Sequence, residues 1–217
     1  RPHGSAWVAA VLLSVSFPTG EKRAPRTFQK EQEISGSRRR AVHAAAERGD
    51  EALLEVLISA GAALDVKDCK DDTPLLLACR AGHLELAKML VGAGAVVWYR
   101  SLQHDTPLLL TCRAGDLEFA KVLLDKGADV SAANKQGDTP LLAAVAAGNA
   151  QLARELAAQG ASPEASRKDG ANVLVLAIIS KNEACIRFAI TQGLKQLEGQ
   201  DTLEVCALIQ SWARAFL

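Results

Sequence analysis

A period of 33 residues constrains this chain more than any other feature. Asp72-Thr73-Pro74-Leu75-Leu76-Leu77 recurs as Asp105 to Leu110, and its first five residues recur as Asp138 to Leu142. Aligning residues 72–104 on 105–137 gives 19 identities in 33 positions. Gly61, Gly94, Gly127, Gly160 and Gly193 share one repeat position, and Gly49, Gly82, Gly115 and Gly148 share another. Nine glycines on two positions of a fixed period point to a unit that stacks on copies of itself.

The unit has a physical grammar. Thr73 offers an N-cap oxygen and Pro74 suits a first helical position, so a helix is expected to begin there and run as PLLLACRA. Gly82 can take positive φ and stop it. A second helix, LELAKMLVGA, places Leu84, Ala87, Leu90 and Val91 on one stripe and leaves Glu85 and Lys88 outside as an i,i+3 pair. Gly94 is expected to end that helix, and a polar loop of about ten residues leads to the next Thr-Pro. Two helices this short cannot bury their apolar faces alone; stacked neighbours bury them, which makes a solenoid. Ala and Leu fill about a third of the chain, as helices of alternating small and large residues require.

The period of 33, the Thr-Pro-Leu motif, the glycine between helices and the Gly-Ala after the second helix resemble ankyrin repeats. The resemblance implies an all-α fold, an ankyrin-repeat solenoid of helix-turn-helix units with projecting β-turn fingers. Five units are expected, at 39–71, 72–104, 105–137, 138–170 and 171–200, after a flexible basic tail or targeting segment at 1–38 and before a C-terminal capping helix at 201–217. In that family the concave surface of fingers and first helices usually binds a protein. The family prefers His after Thr-Pro-Leu, where it ties down the finger. Here Leu76, Leu109 and Leu142 stand at that place and only His43 keeps it, so looser fingers are expected. The end units diverge, with Arg40-Ala41-Val42 and Asn172-Val173-Leu174 in place of the motif and Lys181 in place of the inter-helix glycine. Such divergence suits units facing water on one side. Asp201-Thr202-Leu203-Glu204 has capping-box spacing, and Leu203, Cys206, Ile209 or Gln210, Ala213 and Phe216 give the last segment an apolar face.

The 25 basic and 25 acidic side chains cancel, but unevenly. Residues 1–40 carry eight basic and three acidic groups, and residues 41–217 carry seventeen and twenty-two. An acidic body argues against nucleic acid as the ligand, because phosphate neutralisation needs an excess of Lys and Arg. Ala6 to Phe17 is an apolar run too short to span a bilayer. Its length fits the apolar part of a secretory signal, against which the cysteines count. Cys69, Cys79, Cys112, Cys185 and Cys206 are odd in number and lack metal-ligand spacing, which predicts reduced thiols in a cytoplasmic protein. Cys79 and Cys112 share a repeat position and are expected in the core, while Cys69 is expected at the surface. Arg38-Arg39-Arg40 is a fragment of a nuclear-import pattern, leaving the nucleus open, although a solvated helix entry is the default.

No catalytic constellation is present in the sequence. His3, His43, His83 and His104 have no Ser or Cys partner at nucleophile spacing, and no glycine belongs to a phosphate loop. Asp72, Asp105 and Asp138 precede helix-capping threonines, where the helix dipole accounts for them. No cofactor and no metal are expected, and the chain is taken as a monomeric interaction module rather than an enzyme. The other reading is the regulatory or targeting portion of a larger enzyme, channel or ubiquitin-ligase adaptor. Candidate partner-binding residues lie on the fingers and first helices: Lys70, Asp72 and Arg80 at the first junction. Arg100, Leu102, Gln103, Asp105 and Arg113 follow at the second, and Lys135, Gln136 and Asp138 at the third. This mixed surface with basic points suits an acidic or mixed peptide. Trp98 and Tyr99 stand where the next unit has Ser131 and Ala132, so they are either binding anchors or plugs between the second and third repeats.

Overall fold

The computed structural model describes residues 33–34 and 39–196, with side chains for 41–193. A two-residue antiparallel pair opens it, β1 (Glu33–Ile34) against β2 (Arg39–Arg40), with Glu33 opposite Arg40. Ten helices follow among the described residues. They are α1 (Ala41–Arg48), α2 (Glu51–Ser59), α3 (Pro74–Ala81), α4 (Leu84–Gly92), α5 (Pro107–Ala114) and α6 (Leu117–Asp125). The rest are α7 (Pro140–Ala146), α8 (Ala150–Ala158), α9 (Val173–Ile179) and α10 (Glu183–Gln196). The expected tail, apart from the β1 pairing, and the expected helix at 201–217 lie outside the described residues.

Helix starts follow local chemistry. The Oγ1 of Thr73, Thr106 and Thr139 accepts from the N–H of Leu76, Leu109 and Leu142, and Asn172 Oδ1 does the same for Val175 where the Thr-Pro is missing. Second helices are capped from a shared repeat position by Asp50, Asp116, Asn149 and Asn182. His83 falls on that position without capping; its Nε2 lies 3.3 Å from the Glu47 carbonyl oxygen. Between the helices Gly82 sits at φ 81°, the left-handed region that only glycine enters without strain. Lys181 takes the same role at φ 54° with a side chain.

The described residues form two compact units, those up to Leu110 with Asp125–Ala128, and Thr111–Leu124 with those from Asp129 to Gln196. In the first, α3 packs on α1 and α4 on α2, around Leu54, Leu57, Leu75, Leu76, Leu86 and Leu90. In the second, α9 packs on α7 and α10 on α8, around Phe119, Leu123, Leu141, Leu142, Leu152 and Leu156. First helices thus meet first helices and second helices meet second, the stacking expected of a solenoid. Asn149 Nδ2 donates to Gly115 O and Asn182 Nδ2 to Gly148 O, joining successive inter-helix turns within the second unit. Cys79 and Cys112 are buried and Cys69 is exposed. One expected helix end differs. Gly193 stays helical and α10 continues to Gln196, with Phe188 and Ala189 buried in its preceding turns.

Candidate functional site

Each finger is a turn closed from within. At one repeat position Asp68, Ser101 and Asn134 turn a side-chain oxygen back onto the loop. Asp68 Oδ1 accepts from the N–H of Lys70 and Asp72 (2.7 and 3.0 Å). Ser101 Oγ accepts from Gln103 and Asp105 (3.1 Å each), and Asn134 Oδ1 from Gln136 and Asp138 (2.9 Å each). The backbone adds a second clasp, since the N–H of Asp68, Ser101 and Asn134 donates to the carbonyl of Asp72, Asp105 and Asp138 at 3.0 Å. Where His is absent Leu76, Leu109 and Leu142 are fully buried, and the polar acceptor is present on fingers with and without the histidine tie. His43 ties its finger as expected, with Nε2 2.9 Å from the Val66 carbonyl. At the turn tips Asp71 (φ 56°) and His104 (φ 62°) occupy the left-handed region where Gly137 and Gly170 stand in the later units.

The three aspartates that precede the caps are buried. Asp72 receives both guanidinium nitrogens of Arg80, at 2.5 and 3.0 Å. That hydrogen bond raises the proton affinity of Arg80 above its ordinary value; burial opposes it, and the charges of Asp72, Asp105 and Asp68 add to it. In the second unit Asp138 accepts from Arg113 at 2.7 Å and also from Arg167 Nε. Asp72, Asp105 and Asp138 thus lie beneath the surface, and what reaches solvent beside Asp72 and Asp138 is the arginine paired with each. The side chains of Arg80 and Arg113 are each 41% exposed.

The finger at residues 95–106 differs from its neighbours in what it presents. Along it Val97 and Ser101 point inward and are buried, whereas Trp98, Arg100 and Leu102 are exposed, as an extended chain alternates its side chains. Trp98 is 62% and Leu102 48% exposed. Tyr99 is half-buried, and Lys67 Nζ on the preceding finger stands 4.9 Å from its ring centroid, a cation–π contact. The Leu102 N–H also reaches the Lys70 carbonyl, at 3.4 Å. Lys70 and Gln103 flank this patch and are exposed. Lys135 and Gln136 are exposed on the next finger, where the Gln136 carbonyl accepts from the Lys168 N–H at 2.9 Å. The finger acceptors and the Arg167 contact to Asp138 escaped the sequence reading. The acceptors had a signal, since positions 68, 101 and 134 all hold a small polar oxygen.

The family model for ankyrin repeats matches residues 26–101 and 99–167, in three copies. The chain belongs to the ankyrin-repeat family. No curated protein matches it. Ankyrin repeats are generally protein–protein interaction modules, and the fold is typically non-catalytic. Among the described residues of this ankyrin protein, no cluster of His, Cys, Asp and Glu could hold a metal, and no helix is long and apolar enough to cross a membrane. Burial pushes the Cys112 thiol up to about 12 and also raises that of Cys185, against the pull of Arg154.

Proposed function

We propose that this ankyrin protein holds a protein partner through its fingers, with the finger at residues 95–106 as the main point of contact. The observation that carries the reading is the exposure of Trp98. An indole left 62% exposed beside Arg100 and Leu102 is a costly apolar surface for a free protein and a typical anchor for a bound one. Supporting it are the rigid mounting of that finger by Ser101 and the cation–π contact of Lys67 with Tyr99, which limit the entropy lost on binding. Arg80, Lys70 and Gln103 supply the polar rim, with Asp72 holding the arginine from below. Arg113, Lys135 and Gln136 are the exposed counterparts on the second unit, with Asp138 holding Arg113 from below, and such basic points suit an acidic or mixed segment.

The test is affinity capture with the full chain and its Trp98→Ala variant, followed by affinity measurement on the captured partner. Removing a central Trp anchor costs about 2 kcal/mol or more, roughly a thirtyfold loss of affinity, while an exposed side chain leaves Tm within about a degree or two. A partner retained at full affinity by Trp98→Ala would contradict the assignment. So would a partner that binds residues 1–38 and ignores the repeats.

A further inference from the structure

The finger at residues 161–172 is held from outside. Arg167 stands at the repeat position of Asp68, Ser101 and Asn134, and an arginine has no side-chain oxygen with which to close the turn. Ala171 stands at the position of Asp72, Asp105 and Asp138, so this finger also lacks an aspartate of its own before the cap. The backbone turn survives, with the Arg167 N–H donating to the Ala171 carbonyl at 2.8 Å. For the rest the finger leans on the one before it. The Lys168 N–H donates to the Gln136 carbonyl at 2.9 Å, and Arg167 Nε donates to Asp138 Oδ1. Gly137 permits this approach, because a Cβ there would lie 3.2 Å from Arg167 Cα and from Lys168 N. Of residues 161–172 only Ala161 is buried, so the contacts are polar and within reach of water, the condition under which local opening costs little.

The arginine–aspartate pairs differ in what their breaking leaves behind. Asp72 accepts both nitrogens of Arg80, and losing Arg80 would deprive a buried carboxylate of its guanidinium, a costly event. Asp138 is equally buried but keeps Arg113 at 2.7 Å when Arg167 departs. Arg167, whose side chain is already 25% exposed, is therefore the arginine that leaves its aspartate at least cost.

We propose that Arg167 is a releasable latch. A carboxylate of an acidic partner segment takes it from Asp138, and the finger at 161–172 comes away from the finger at 134–138; the ligand is that of the function proposed above, on which this step rests. The incoming carboxylate offers the same charge-assisted bond at the surface, and exposed Lys135 and Lys168 on the two fingers draw it there.

Residue-resolved amide exchange of the full chain reads the latch at the Lys168 N–H. Arg167→Met should speed that exchange about five- to thirtyfold and leave the Asp138 amide, clasped by Asn134, unchanged. Arg167→Asn restores the acceptor of the earlier fingers, so it should slow exchange at Asp169 while Lys168 speeds up as in the methionine variant. Hexaglutamate at millimolar concentration should speed Lys168 exchange in the parent chain beyond the effect of sodium chloride at equal ionic strength, and should lose that advantage in Arg167→Met. Unaltered Lys168 exchange in Arg167→Met would overturn the latch. Equal responses of the parent to hexaglutamate and to sodium chloride would overturn its release by carboxylates. Trp98→Ala should change none of these rates, so a failure of the Trp98 contact and a failure of the latch are told apart.

Discussion

Replacing Ser101 by Ala tests whether the finger residue at positions 68, 101 and 134 closes each turn. Ser101 Oγ accepts from two backbone N–H groups, those of Gln103 and Asp105, at 3.1 Å each. Alanine deletes a single oxygen and leaves almost no void, so packing contributes little to the change. Gln103 is exposed and its N–H recovers water at a net loss of about 1 kcal/mol or less, whereas the N–H of buried Asp105 is left unsatisfied at about 1–3 kcal/mol. The sum is about 1–4 kcal/mol, which for a chain of this size lowers Tm by roughly 2–16 °C. Urea denaturation followed by circular dichroism measures it, with Ser101→Asn as the companion because Asn134 performs the same task at its own position. Asparagine should restore most of the loss. Ser101→Ala within about 0.5 kcal/mol of the parent, or Ser101→Asn as unstable as alanine, would refute the idea that this side chain clasps the finger.

Two further outcomes are expected. Lys181→Gly should raise the urea midpoint, because a lysine at φ 54° bears left-handed strain of about 1–2 kcal/mol, partly offset by the entropy of a glycine in the unfolded chain; an unchanged or lower midpoint would count against strain at that turn. Native-state alkylation at pH 8 should modify Cys69 and spare Cys79, Cys112 and Cys185, as peptide mapping by mass spectrometry will show. With its thiol near 12, Cys112 is thiolate in only about one molecule in ten thousand at that pH, so it should react only after unfolding.

Much of this was legible beforehand where the cause is local. The Thr-Pro motif announced the starts of α3, α5 and α7, the glycines announced the turns, and Glu85 and Lys88 meet at 2.7 Å as their spacing required. Gly193 misled for a related reason. A glycine permits a helix to stop without compelling it. The expectation of loose fingers weighed the missing histidine alone and overlooked the bonds that Ser101 and Asn134 accept inside their loops.

The sequence by itself therefore determined the repeat frame, the helix pairs and their caps, because these depend on residues within a turn or two of one another. Only the tertiary structure decided which arginine meets which aspartate. Arg80 reaches back eight residues to Asp72, while Arg113 and Arg167 converge on Asp138 from 25 and 29 residues away. It alone decided that Trp98 faces water and that the finger at residues 161–172 is held by its neighbour. Exposure and long-range pairing are properties of what stands opposite a side chain, and a period in the sequence does not state what stands there.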